Sequence, residues 1–201
     1  IARRMGHYHE ARCRFEKNLK AARAQQNQSE IIRALVQLGW VARDLVDYEE
    51  ARRLFEECRT LSRTQSNVWG TGRALEALAF LCLFQGDCAA AGRHIKQAMV
   101  ISRDNGFRSE MVKQSVNMAV VQWLSGRFAG AKEALIEAKG LGGHLGYPFA
   151  SAFPTIFLGE LQALTGCYEE ARENIQQGIT FIQPDFSSRL FLLGRAYRVM
   201  G

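Results

Sequence analysis

The sequence predicts an all-α solenoid of stacked helix-turn-helix hairpins, and three observations carry that reading. Alanine recurs as Ala11, Ala51, Ala91, Ala131 and Ala171, a spacing of 40 residues held through five copies. Apolar residues fall three and four apart along most of the chain, the spacing of a helix with one buried stripe. Only Pro148, Pro154 and Pro184 interrupt 201 residues, so long stretches are free to be helical. About ten helices are expected.

Each element follows from the columns of that repeat. Three residues before each alanine stand Tyr8, Tyr48, Cys88, Phe128 and Tyr168; four after it stand Phe15, Phe55, Ile95, Leu135 and Ile175. Three further on the residues are compact: Asn18, Cys58, Ala98, Ala138 and Gly178. Upstream, Leu38-Gly39, Leu78-Ala79, Met118-Ala119 and Leu158-Gly159 keep the same period, and Leu193-Gly194 follows after 35 residues. Residues 30–45 and 47–63 therefore read as one antiparallel pair of amphipathic helices, joined by a short turn. A glycine closes the first helix of most units, at Gly6, Gly86, Gly126, Gly166 and Gly201, with Val46 as the exception. Glycine enters the left-handed conformation that ends a helix without steric penalty. Asp47 is placed to cap the next helix, with Glu50 at the third position of a capping box. The small residues Gly39, Ala79, Ala119 and Gly159 are expected to meet the alanine column, letting helix axes approach closely.

One hairpin cannot bury its apolar face, so the units stack. The whole chain, 1–201, reads as a single array with units at roughly 29–66, 68–105, 107–145 and 147–183, flanked by partial units at 1–26 and 185–201. The opening IARRMG and closing AYRVMG look like pieces of helices, so the chain is expected to be a segment of a longer protein. The fourth full unit is irregular. Pro154 stands where Ala34, Ala74 and Gln114 are mid-helix, which predicts a late start or a kink and an altered stacking angle. The stretch GLGGHLG at 140–146 reads as an inter-repeat loop.

In Leu35, Leu38-Gly39, Ala42, Ala51, Phe55 and Cys58 the second unit resembles a tetratricopeptide repeat (TPR), with Ala42 where that family usually has tyrosine. The period of 40 resembles the longer repeats in the C-terminal regions of bacterial signal-transduction regulators. These include LuxR-type relatives of the maltose activator, STAND ATPases and large antibiotic regulators. The resemblance implies a right-handed α-α superhelix and a module for protein–protein interaction or ligand sensing. Its partner would be a peptide, a protein domain or a small effector held on the concave face. A self-associating spacer, dimerising through the solenoid ends, and a basic module associated with nucleic acid are the alternatives.

Composition narrows the chemistry. The net charge is +6, and seven basic residues face two acidic ones between Arg3 and Arg23. Such a segment attracts nucleic acid or acidic partners, but it reads better as a solvated helix face, so nucleic acid is not the expected ligand. Five cysteines with no CxxC spacing indicate neither a disulfide framework nor a zinc site, and fit a reducing cytoplasm. Cys58 and Cys82 occupy core positions. The longest apolar run, 77–84, is far short of a membrane span. The 140–146 stretch follows a helix and lacks the phosphate-loop pattern. His7 and His9 lack ligand partners at metal spacing and read as capping or surface residues. No nucleophile motif is present. The expectation is a non-enzymatic chain with no catalytic residue, metal or cofactor.

The family's groove positions, carried onto these units, fall on the first helix of each. They place Arg33, Arg73 and Lys113 in one basic column, with Arg43 beside it. Trp40, Phe80, Phe84, Trp123 and Phe153 would supply an aromatic floor. Aromatic rings flanked by cations are typical of binding hot spots and suit an acidic peptide or a flat anionic ligand.

Overall fold

The computed structural model describes residues 7–146 and 149–182. Among them it contains nine α-helices and no strand: α1 (Tyr8–Ala24), α2 (Gln28–Asp44), α3 (Tyr48–Thr64), α4 (Val68–Phe84), α5 (Cys88–Asp104), α6 (Arg108–Leu124), α7 (Phe128–Gly143), α8 (Phe149–Leu164) and α9 (Tyr168–Thr180). The helix pair read from 30–45 and 47–63 is α2 and α3. Gly6, Pro148, Pro184, Leu193-Gly194, Gly201 and the outermost parts of the two partial units lie outside the described residues.

The chain divides into two compact units, residues 1–101 and residues 102–201. In the first, α1, α2, α3 and α4 each pack on the next, and α2 also packs on α4. In the second, α6 to α9 do the same, with α6 also against α8.

A finer period than 40 sets the elements. Helices α1 to α6 are all 17 residues long, and each starts 20 residues after the one before. The residue two past the end of α1 to α6 and of α8 is left-handed: Gln26, Val46, Ser66, Gly86, Gly106, Gly126 and Gly166 have φ between 50° and 84°, and after α7 the left-handed residue is Gly146, three past the end. Two bonds fix each turn. Asn27 N–H donates to the Ala22 carbonyl and Gln26 N–H to Arg23; Asp47 and Val46 repeat this on Ala42 and Arg43, and Asp87 and Gly86 on Cys82 and Leu83. This is the Schellman arrangement, which uses up carbonyls that a helix end leaves orphaned. From α1 to α6, turns within a hairpin and between hairpins are therefore the same turn.

The N-termini are finished by side chains in the first unit. Asn27, Asp47, Asn67 and Asp87 each accept a hydrogen bond from the backbone N–H three residues on, at 2.8–3.2 Å. Asp47 thus caps α3 as expected, but the reciprocal half of the capping box is not formed. The Glu50 carboxylate turns to Arg53, and Asp47 N–H is already spent on the Ala42 carbonyl. His7 occupies the N-cap position of α1 without a side-chain bond.

Two expectations for the fourth unit are corrected. Residues 140–143 are the last turn of α7 rather than loop, and the turn begins at His144. Leu135, Ala138, Leu141 and Leu145 continue the apolar spacing into the second unit's core, and that burial outweighs the weak helix propensity of glycine. Helix α8 does not start late at Pro154; it starts five residues earlier and runs through the proline. Pro154 withdraws the N–H that would serve the Ala150 carbonyl. That carbonyl lies against Gly142 of α7, where a Cβ would sit 2.8 Å from its oxygen.

The first unit's core is built from Ile32, Leu35, Phe55, Cys58, Ala74, Leu78 and Leu81, each essentially sealed from solvent. The Cys58 thiol reaches the Ile32 carbonyl at 3.8 Å, and burial pushes its pKa up to about 11. In the second, Ala131, Leu135, Ala138, Leu158 and Leu161 play these parts. The small residues do allow close approach: a Cβ on Gly159 would meet the Ala171 carbonyl and Ile175, while one on Gly39 would fall 2.3 Å from the Phe55 ring rather than against the alanine column.

Candidate functional site

In the first unit, α2 and α4 bring together most of the expected groove residues. The Trp40 ring lies edge-on between Phe55, at 5.1 Å between centroids, and Phe80, at 6.0 Å. Trp40 and Phe80 are half-buried, so these two rings form the joint between the helices as well as part of a surface. The Arg43 guanidinium stacks on Trp40 at 4.6 Å and on Phe84 at 4.8 Å. Its Nε and Nη2 both donate to Asp44 Oδ1, the Nε bond being 2.9 Å long. With its side chain only 17% exposed, Arg43 is a fixed strut between two rings. Phe84, by contrast, is 57% exposed at the end of α4.

The basic column is a column of ion pairs. Arg33 pairs with Glu30 at 3.3 Å, Arg73 with Glu76 at 2.6 Å, and Lys113 with Glu110, each three residues away on the same helix. Arg33 is far out in solvent and Arg73 less so, while Glu76 is buried. The Arg33–Glu30 pair is exposed on both sides, is worth little and exchanges readily, so Arg33 remains able to turn to a ligand carboxylate, whereas Arg73 is held in place by the buried Glu76. The exposed Trp69, one turn before Arg73 and 5.9 Å from its guanidinium, was not among the expected residues. Its signal was present: Trp69, Arg73, Glu76, Phe80 and Phe84, spaced four, three, four and four, form one stripe of α4.

Lys113, Trp123 and Phe153 belong to the second unit. Trp123 and Phe153 are half-buried and pack against the core formed by α6, α7 and α8. The exposed large apolar residues of this unit are instead Leu124, Phe128, Leu164 and Tyr168, at the hairpin turns, and Ile136 on the outer face of α7.

Residues 32–57, from α2 into α3, match the sequence profile of the tetratricopeptide repeat. Solved structures extend the likeness to nearly the whole chain. BtubC (BKLC) from P. vanneervenii superposes with a TM-score of 0.76 at 16% identity, over 96% of this chain and 84% of that one. The Rap conjugation gene regulator of the plasmid pLS20, in complex with the Phr* peptide, gives 0.75 at 15% identity, over 89% of this chain and 50% of that one. A Podosopora anserina putative kinesin light chain with nearly identical TPR-like repeats gives 0.64 at 16% identity, over 90% and 89%. No curated protein matches the chain by sequence. The fold is thus an all-α array of TPR-like repeats. Among the described residues, no helix is long and apolar enough to cross a membrane.

Proposed function

We propose that this chain is a non-enzymatic binding module of a larger bacterial regulatory protein, and that the α2–α4 face of its first unit holds a peptide or a peptide-like segment of a partner. The observation that carries this reading is the α4 stripe, with exposed rings at both ends. Trp69 and Phe84 each keep about half of their surface exposed for apolar contact, while Arg73 and the braced Arg43 lie over their other faces. Exposed aromatics beside guanidinium groups are the composition of interface hot spots. The solved Rap regulator with a bound Phr* peptide supports the reading by fold, as does the 40-residue period by resemblance. The cation column being internally paired, the ligand matched to this face carries an apolar or aromatic side chain with a nearby carboxylate, rather than a dense acidic run.

Selection of a random peptide library on the chain tests this. Enriched peptides are expected to share an aromatic or large aliphatic residue close to Asp or Glu. They should lose at least about tenfold in affinity when Trp69 and Phe84 are both changed to alanine, a loss typical of two exposed hot-spot residues. Both side chains are solvent-facing, so circular dichroism should be unchanged. Equal affinity for the double variant would remove the assignment of this face.

A further inference from the structure

A cavity of about 170 Å³ lies between α1 and α3, with α2 as its floor, away from the α2–α4 aromatic face. Its walls are Leu19, Leu38, Ala42 and Leu54, all buried and all aliphatic. Its rim is Arg12, Glu16, Glu50 and Arg53. Arg12 Nε donates to Glu16 Oε1 at 2.9 Å, and the Arg53 guanidinium forks onto both Glu50 oxygens at 2.7 Å. The Arg53 bond, with the Arg12 charge behind it, holds the Glu50 carboxyl below its ordinary pKa. The mouth therefore presents two cations and two anions over an apolar well.

The fold does not require this hole. The second unit has the same crevice 120 residues later, where Leu19, Ala42 and Leu54 are replaced by Lys139, Gln162 and Asn174. There the space is bridged: Lys139 Nζ donates to Asn174 Oδ1 at 2.9 Å, and Asn174 Nδ2 donates to Gln162 Oε1 at 2.9 Å. The chain thus has a well-formed way to close the crevice, and in the first unit it keeps small and apolar residues in those positions. The well is open at its mouth, so a ligand can enter from solvent without the unit opening.

We propose that the cavity is a binding site for a free α-amino acid with a branched or aromatic apolar side chain. The aliphatic floor of Leu19, Leu38, Ala42 and Leu54 suits the end of a leucine or phenylalanine side chain, with its charged groups left at the mouth. The ligand's ammonium group meets Glu16 and Glu50, and its carboxylate meets Arg12 and Arg53. Arg12, Glu16 and Arg53 stand largely in solvent and Glu50 is half-buried; exposed ion pairs exchange partners at little cost.

Titration calorimetry of the 201-residue chain with L-leucine and L-phenylalanine tests the site. Saturable one-to-one binding is expected. It should fall at least about tenfold for N-acetyl-leucine amide, which keeps the side chain and lacks both charges. Ala42→Gln installs the residue used at the same register in the second unit. It should abolish binding while retaining the helical spectrum. If that variant does not fold, the rim pair Glu16→Gln and Glu50→Gln, which keeps the side-chain shape, must show the same loss. No saturable heat with either amino acid overturns the proposal, as do equal binding of the uncharged analogue and unchanged binding by folded Ala42→Gln. Peptides that bind through Trp69 and Phe84 are unaffected by these variants if the two sites are separate.

Discussion

At Gly39 a methyl group would lie 2.3–2.8 Å from three atoms of the Phe55 ring, closer than side chains approach one another. In the units that carry Ala79 and Ala119 at this place, the residue sixteen positions on is Ile95 or Leu135 rather than a ring. Gly39→Ala should therefore destabilise the chain by about 1–3 kcal/mol in urea unfolding. Adding Phe55→Leu should recover part of that, and simple additivity of the two changes would refute the contact. Val46 shows the opposite sign. It is β-branched, 68% exposed, and held at φ 65°, where its counterparts are Gly86, Gly126 and Gly166. A left-handed L-residue costs about 1–2 kcal/mol, and glycine returns about 0.5–1 kcal/mol of that as unfolded-state entropy. Val46→Gly should raise stability by about 0.5–1 kcal/mol; a loss would show that the turn is not strained.

Among the elements, the helix ends rest on single side chains. Asp47 accepts from Glu50 N–H at the start of α3, so Asp47→Ala should cost about 1 kcal/mol, read as a lower urea midpoint at unchanged slope. The 40-residue columns made α2, α3 and their counterparts legible, because spacing of Leu, Ala and Phe is all an amphipathic pair requires. The 20-residue cadence was harder to see. At the turns between hairpins the left-handed residues are Gln26, Ser66, Gly106 and Gly146, a mixture of polar side chains and glycine. There the left-handed backbone repeats without one letter held throughout. The 140–143 segment misled for the reverse reason: four residues rich in glycine stay helical because Leu141 and Leu145 have a core to enter. The candidate face was legible in Arg43, Arg73 and Phe84. Its neutrality was legible too, in the three-residue spacing of Glu30 to Arg33 and Arg73 to Glu76. The cavity had no local signal, since α1 and α3 meet only through the fold.

For the molecule as a whole, two groups make stability fall on the acid side. His94 is half-buried with Nδ1 unpartnered; burial first, and the nearby Arg59 second, hold its pKa below the ordinary 6.5. The unfolded chain takes up that proton more readily, so the contribution is intact above about pH 6.5 and shrinks as pH falls toward the folded-state value. Glu50, whose folded pKa is depressed, adds stability that is present above the carboxylate's ordinary 4.5 and lost below it. Urea midpoints measured from pH 8 to pH 5 should hold level and then decline below about 6.5, and His94→Gln should flatten that decline. An unchanged decline in the variant would assign it elsewhere.

The shared turn at the ends of α1 to α6 has a consequence for how such a chain can be edited. Because the connection inside a hairpin is the same as the connection between hairpins, the backbone does not distinguish where a unit begins. Phase is carried by side chains alone, through the alternation of broadly buried helices such as α2 and α4 with the single-striped α1 and α3. Excising two consecutive helices from turn to turn preserves that alternation and leaves a compatible seam. Excising one preserves every turn and still sets two like faces against each other, so the lesion would be invisible to the backbone and lethal to the core.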